Sequence, residues 1–197
     1  MIVFFSGMRM RHLFILTLIA AIIASIGWGF VLRPYQKARI TTFLNPYADV
    51  RGAGYQMIQA MITVGSGRMW GKGLGYGSQS HLNFLPEAQT DFIFAAFAEE
   101  WGFVGVIILL GALFCILWRI LLIGMRSADN FSRLYAIGLA AFIFVQSFIH
   151  IGMNMGVLPI TGITLPFVSY GGSSLATLCI GVGILMNIHM NARRVVE

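Results

Sequence analysis

Apolar residues along the chain gather into long uncharged runs, separated by basic stretches and two glycine-rich segments. Residues 13–32 form a run without charge that is long enough for about 30 Å of hydrocarbon at about 1.5 Å per helical residue. Arg9 and Arg11 precede it, as they would a signal peptide. A cleavable signal needs a shorter apolar region and a small-residue cleavage site, whereas Arg33-Pro34 follows here, so a retained span is expected. Residues 101–118 predict a second span, begun by 92–98, with a tryptophan near each end at interface depth. Residues 134–153 predict a third, interrupted by Gln146, Ser147 and His150, and residues 175–190 a fourth.

Two segments between the spans have a different texture. The interval of about 33–91 reads as an outer loop with structure of its own. Within it Gly54, Met57, Ile58, Met61 and Ile62 share one helical face and Gln56, Gln59 and Thr63 the other. That pattern fits a short helix lying in the membrane interface or packed on the bundle. Gly65, Gly67, Gly71, Gly73, Gly75 and Gly77 then interrupt regular structure and allow close backbone approach. The segment of about 154–174 is free of charge and is broken repeatedly by proline and glycine. Irregular backbone at membrane depth is tolerated where it is buried in protein or lines a cavity, so this segment is expected to form a wall opposite Asp91.

Composition agrees with the pattern: 58% of the 197 residues are hydrophobic and 10% charged, with a mean hydropathy of +0.82. A soluble domain carries about a quarter charged residues, so the expectation is an all-α, polytopic bundle of about four spans. The 13 basic against 7 acidic residues are explained by loop charges that set topology, not by a nucleic-acid partner. Arg9 and Arg11, the group Arg119, Arg126 and Arg133, and Arg193 and Arg194 fall on one side if four spans alternate. That side is cytoplasmic, and both glycine-rich segments face outward. Cys115 and Cys179 lie in apolar runs and read as small core residues, with no disulfide framework or metal spacing.

Candidate chemistry concentrates in residues 71–102. The glycine-rich run with Lys72 is no nucleotide loop, because three residues instead of four separate Gly67 from Gly71 and no Ser or Thr follows the lysine. Its backbone N–H groups, with Arg68 and Lys72, can instead hold a phosphate or pyrophosphate, or form an ordinary outer loop. If a helix starts near Glu87, then Glu87, Asp91 and Glu99 point roughly the same way. Such clustering can raise a carboxylate pKa and make it a base; the alternative is that Glu87 and Asp91 complement a helix dipole. Glu99 and Glu100 must pair with a basic residue or face water. His12, His150 and His189 lie near span ends, as headgroup-zone residues do, and His150 is given no role. His81, in the outer loop, could do more; none is assigned as a ligand, and HExxH, CxxC and Ser/His/Asp patterns are absent.

Two stretches, in order and on one side of the membrane, carry a resemblance. Phe43-Leu44-Asn45-Pro46, Gly54-Tyr55-Gln56, Gly71-Lys72-Gly73-Leu74-Gly75, Leu85-Pro86-Glu87 through Thr90-Asp91-Phe92-Ile93-Phe94, and Glu99-Glu100 resemble the outer loop of the RodA/FtsW/SpoVE family. Leu158-Pro159 through Gly162, Leu165-Pro166-Phe167 and Ser169-Tyr170-Gly171-Gly172-Ser173-Ser174 look like its C-terminal signature. Leu158-Pro159-Ile160-Thr161-Gly162 lacks the lysine frequent in FtsW-like members, which points to the RodA side.

The resemblance implies a multi-pass peptidoglycan glycosyltransferase of the bacterial cell membrane. It would polymerise lipid II in elongation or division together with a class B penicillin-binding protein. Asp91 matches the family's essential aspartate, the base for the acceptor hydroxyl. Glu87, Ser169, Tyr170, Gly171, Gly172 and Ser173 are candidates for substrate binding, joined by Arg68 and Lys72 as an inference from the loop. The resemblance assigns no definite cofactor and leaves a divalent cation open. A lipid II flippase, suggested by broken helices, is the alternative, as is a non-catalytic partner subunit packing through Gly105, Gly111 and Gly138. The family fold is about twice as long, so residues 1–197 are expected to form a single membrane domain, the C-terminal part of that fold, with its activity alone left open.

Overall fold

The computed structural model describes residues 33–48, 52–77, 87, 89–127 and 129–194, together with positions 15 and 18. Its elements are helices: α1 Pro34–Leu44, a 3₁₀ turn Pro46–Ala48, α2 Ala53–Ser66, α3 Ile93–Met125, α4 Asn130–Asn154 and α5 Gly172–Arg194. No strand occurs among the described residues. Packing divides the chain into Met1–Thr41 and Thr42–Glu197, and the site lies in the second unit. Helices α3 and α4, and α5 over Gly172–Met190, are long and apolar enough to cross a membrane. The protein is therefore an all-α, multi-pass membrane protein. The expected span at 13–32 lies outside the described residues except for Ile15 and Leu18, which are exposed.

Small residues let the spans approach. A Cβ on Gly124 would come within 2.6 Å of the Ala136 Cβ, so glycine there brings α3 and α4 together just before the turn that joins them. Ile120 of α3, Ala136, Ala140 and Ile143 of α4, and Leu178 and Leu185 of α5 make one buried cluster. The Tyr135 hydroxyl adds a hydrogen bond to the Gly181 carbonyl at 2.9 Å, which suits small and polar contacts between helices in lipid. Large apolar residues such as Ile108, Phe114, Phe144 and Ile180 stay exposed, as surfaces that meet hydrocarbon do. Of the glycines expected at a partner interface, Gly105 packs under Trp101, whereas Gly111 and Gly138 meet nothing within 4 Å.

Helix α2 packs on the bundle by a face rotated from the expected apolar one, with which it shares Gly54 and Met57. Met57, Ala60 and Thr63 are buried while Met61 and Ile62 are exposed. Ala60 and the half-buried Val64 lie against Phe92, Ala95 and Ile160. The small Ala60 admits Phe92, and Thr63 satisfies its hydroxyl on the Gln59 carbonyl at 2.6 Å, so a nominally polar residue can be buried without cost to its hydrogen bonding.

Helix α3 is one element with a break. Gly102, at φ 66° and ψ −166°, is its one non-helical residue. This corrects the expectation of a plain span: the first part, from Ile93, is separated from the longer second part by a glycine hinge.

Candidate functional site

The glycine-rich loop is stitched into the break at Gly102. A helix interrupted in this way strands carbonyls before the break and N–H groups after it, and in a low-dielectric setting each must find a partner. The loop supplies them. Lys72 N–H donates to the Glu99 carbonyl at 2.9 Å and Gly73 N–H to the Glu100 carbonyl at 3.0 Å. In return, the N–H groups of Phe103 and Val104 donate to the carbonyls of Arg68 at 2.8 Å and Met69 at 3.2 Å. The two backbones touch: a Cβ on Gly71 would lie 2.1 Å from the Glu100 carbonyl oxygen, and one on Gly67 only 1.9 Å from that of Ala98.

Glu99 meets its expected requirement for a basic partner. Its carboxylate, fully buried, lies 2.7 Å from the Lys72 ammonium, which is 32% exposed, and also accepts from the Ser66 hydroxyl at 3.4 Å. Glu100 accepts from Gly75 N–H at 3.3 Å. Lys72 is thus engaged with Glu99 inside the protein while about a third of its side chain stays exposed. Arg68 remains exposed. Lys72→Ala removes the ammonium from a buried carboxylate. With the lysine one-third exposed, the expected cost is about 2 kcal/mol, below the ~3–5 kcal/mol for a wholly buried pair. Adding Glu99→Gln should restore more than half of the loss, read from thermal unfolding midpoints in detergent.

Asp91 belongs to a separate cluster at the start of α3. The helix begins at Ile93 with Phe92 at its N-cap, not near Glu87, so the expected line of Glu87, Asp91 and Glu99 on one helical face does not form. Glu87 has a left-handed φ of 57°, and its carbonyl accepts from the N–H groups of Thr90 and Asp91, both at 3.1 Å, and Phe92 at 3.3 Å. Its carboxylate accepts from the Thr90 hydroxyl at 3.0 Å. Glu87 therefore shapes the turn that presents Asp91. His81, Leu85, Pro86 and Ala88 lie outside the described residues.

The 154–174 segment stands against this turn, as expected of a wall. Tyr170 N–H donates to the Gln89 carbonyl at 3.0 Å. Ser169 donates its hydroxyl to the Thr90 carbonyl at 3.0 Å and accepts from Leu165 N–H at 2.7 Å. A Cβ built on Gly162 would sit 3.5 Å from Asp91 Oδ2, so the half-buried carboxylate faces bare backbone there. Of the other candidates, the Tyr170 side chain is exposed, Gly171 accepts from Leu175 N–H at 2.9 Å, and Gly172 and Ser173 open α5. Of the three non-glycine residues with left-handed φ among those described, Glu87 and Phe167 lie in the two segments that meet here, and Arg68 lies in the glycine-rich loop. Such outliers persist only where the surroundings over-determine them, and they gather at functional sites.

Sequence reasoning missed Asn154. It is fully buried, and its amide joins α4 to the Asp91 turn: Nδ2 donates to the Asp91 carbonyl at 3.1 Å and Oδ1 accepts from Ala95 N–H at 3.2 Å. The available signal was a set of polar residues, Gln146, His150 and Asn154, recurring every fourth position of an apolar span. Among the described residues, no three His, Cys, Asp or Glu side chains gather to hold a metal ion.

The chain resembles known proteins along nearly its whole length. The sequence profile of the FtsW, RodA and SpoVE proteins, described as cell cycle protein, matches residues 1–194. Peptidoglycan glycosyltransferase MrdB of Escherichia coli K12 is 44% identical over 192 residues, covering 98% of this chain and 52% of that protein. Stage V sporulation protein E of Bacillus subtilis 168 is 43% identical over 192 residues, covering 97% and 51%. A solved chain described under "Structural coordination of polymerization and crosslinking by a peptidoglycan synthase complex" superposes with a TM-score of 0.74 at 32% identity, covering 96% of this chain and 52% of that one. The crystal structure of the Thermus thermophilus rod shape determining protein RodA matches 52% of this chain and 34% of its own, with a TM-score of 0.50 at 40% identity. The chain spans about half the length of the curated relatives it matches.

Proposed function

Because the chain belongs to the FtsW/RodA/SpoVE family, we propose that it supplies the C-terminal portion of a peptidoglycan glycosyltransferase that polymerises lipid II at the outer face of the bacterial cell membrane. Residues 1–197 act in this reading as one membrane domain. The observation that carries the reading is the placement of Asp91: a half-buried carboxylate on a turn fixed by Glu87 and Asn154, facing the Gly162 backbone. Asp91 takes the proton of the acceptor sugar hydroxyl as that oxygen bonds the donor's anomeric carbon. The bond to the undecaprenyl pyrophosphate breaks with its electron pair leaving on phosphate. General-base assistance of this kind contributes about 10²–10⁴-fold. Ser169, Tyr170, Gly171, Gly172 and Ser173 frame the substrate side, and exposed Arg68, with the part-exposed Lys72, supplies loop cations for the pyrophosphate. A class B penicillin-binding protein is the proposed partner.

The break at Gly102 gives a specific reason to consider a lipid flippase, since discontinuous helices mark transporter sites. In transporters the freed carbonyls coordinate cargo or ions. Here the Glu99 and Glu100 carbonyls are already bonded to the loop, which favours the enzyme. The two readings separate in one experiment, using the full-length gene product with its penicillin-binding partner and labelled lipid II. Glycan strands that a muramidase digests are expected. Lipid II crossing vesicle membranes with no polymer formed would favour the flippase.

A further inference from the structure

Helix α3 begins without a side-chain cap of its own: Phe92 occupies the N-cap and makes no such bond. The N–H of Ala95, third residue of the helix, is one of the donors left over in a first turn, and Ala95 is fully buried. Its partner comes from another span, where Asn154 Oδ1 accepts at 3.2 Å. Both amide hydrogens of Asn154 are used as well, one on the Asp91 carbonyl at 3.1 Å and one on the His150 carbonyl of its own helix at 2.8 Å. With its donors and acceptor engaged and no exposed surface, this side chain has one defined orientation.

Asn154 is also the end of a row. Four residues earlier, His150 donates from Nδ1 to the Ile163 carbonyl at 2.7 Å. Four residues before that, Gln146 Nε2 donates to the Thr164 carbonyl at 3.0 Å. One face of α4 therefore holds both the segment that faces Asp91 and the turn that carries it.

We propose that Asn154 is a positioning residue for Asp91: it caps α3 across the helix interface and fixes the main chain of the base, without touching substrate. The proposal rests on the reading of Asp91 as the general base. A misplacement of about 1 Å at a reacting group can cost about 10²-fold in rate, and Asn154 bonds the Asp91 main chain directly.

The test uses the full-length protein with its partner, lipid II polymerisation kinetics, and hydrogen exchange at the Ala95 amide. Asn154→Ala is expected to lower kcat roughly 10- to 100-fold with KM changed less than about threefold, and to speed exchange at Ala95. Asn154→Asp keeps side-chain size and the acceptor for Ala95 but cannot donate to Asp91. It should lower kcat similarly while the Ala95 amide stays protected. Wild-type kcat in either variant overturns the proposal. So does a fall in kcat matched by an equal loss of folded protein, which would mark a merely structural role. If neither variant folds, Asn154 is structural and the proposal also fails. An active Asp91→Asn enzyme would instead sink the reading of the base, whatever the Asn154 variants do.

Discussion

Gly102→Ala is expected to leave almost no monodisperse protein, although the residue lies far from Asp91 along α3. A Cβ there would stand 2.2 Å from Gly71 N and 2.7 Å from the Trp70 carbonyl carbon, so the obstruction is backbone and no rotamer relieves it. The conformation itself, φ 66° and ψ −166°, belongs to glycine and costs another residue about 1–3 kcal/mol. Moving the loop away breaks the hydrogen bonds that pair residues 68, 69, 72 and 73 with 103, 104, 99 and 100, each worth about 1 kcal/mol net and more when left unsatisfied in a buried setting. The sum, about 5 kcal/mol or more, is as large as the whole stability of many proteins. Gly65→Ala is the control, because its Cβ would meet nothing within 4 Å and alanine favours the helix by roughly 1 kcal/mol. Size-exclusion profiles and thermal unfolding in detergent report both outcomes. A Gly102→Ala protein with wild-type yield and midpoint would show that the loop and the broken helix are not locked as described.

That lock marks the boundary of what the sequence made readable. Uncharged runs predicted the three described spans, since length and apolarity alone decide them; the expected 134–153 is α4, Asn130–Asn154. A glycine inside an apolar run reads as tolerated helix, however, and only the approach of Gly71 explains why residue 102 leaves the helical region. Glu99 was readable as needing a cation, because an unpaired carboxylate at that depth is too costly. That the cation would be Lys72 depends on the path of the loop, which brings its ammonium to 2.7 Å from the Glu99 carboxylate.

The buried face of α2 was only partly legible for a related reason. Apolar periodicity groups Gly54, Met57, Ile58, Met61 and Ile62 on one face, of which Gly54 and Met57 are buried and Met61 and Ile62 exposed, because lipid-facing or partner-facing surfaces are apolar too. Burial followed the small Ala60, which Phe92 could approach. Asn154 escaped notice because its partners are 59 and 63 residues away in sequence, a separation no local capping pattern spans. The meeting of the 154–174 segment with the Asp91 turn was expected from sidedness alone, and the Ser169 and Tyr170 hydrogen bonds give it its register.

Asp91→Asn should abolish polymer formation, by roughly 10³-fold or more, while lipid II still binds. The amide nearly matches the carboxylate in volume, so the turn held by Glu87 and Asn154 stays in place through its main-chain bonds. The negative charge and with it the capacity to take a proton disappear, and loss of a general base costs about 10²–10⁴-fold. Asp91→Glu retains the carboxylate but displaces it by a methylene, so it should keep a small measurable rate. The most direct measurement compares wild type and Asp91→Asn as full-length proteins with their penicillin-binding partner, following both the initial rate of labelled lipid II polymerisation and lipid II affinity. The predicted result is unchanged affinity with no detectable strand formation in Asp91→Asn. Polymerisation by that variant at the wild-type rate would contradict the assignment of Asp91 as the base.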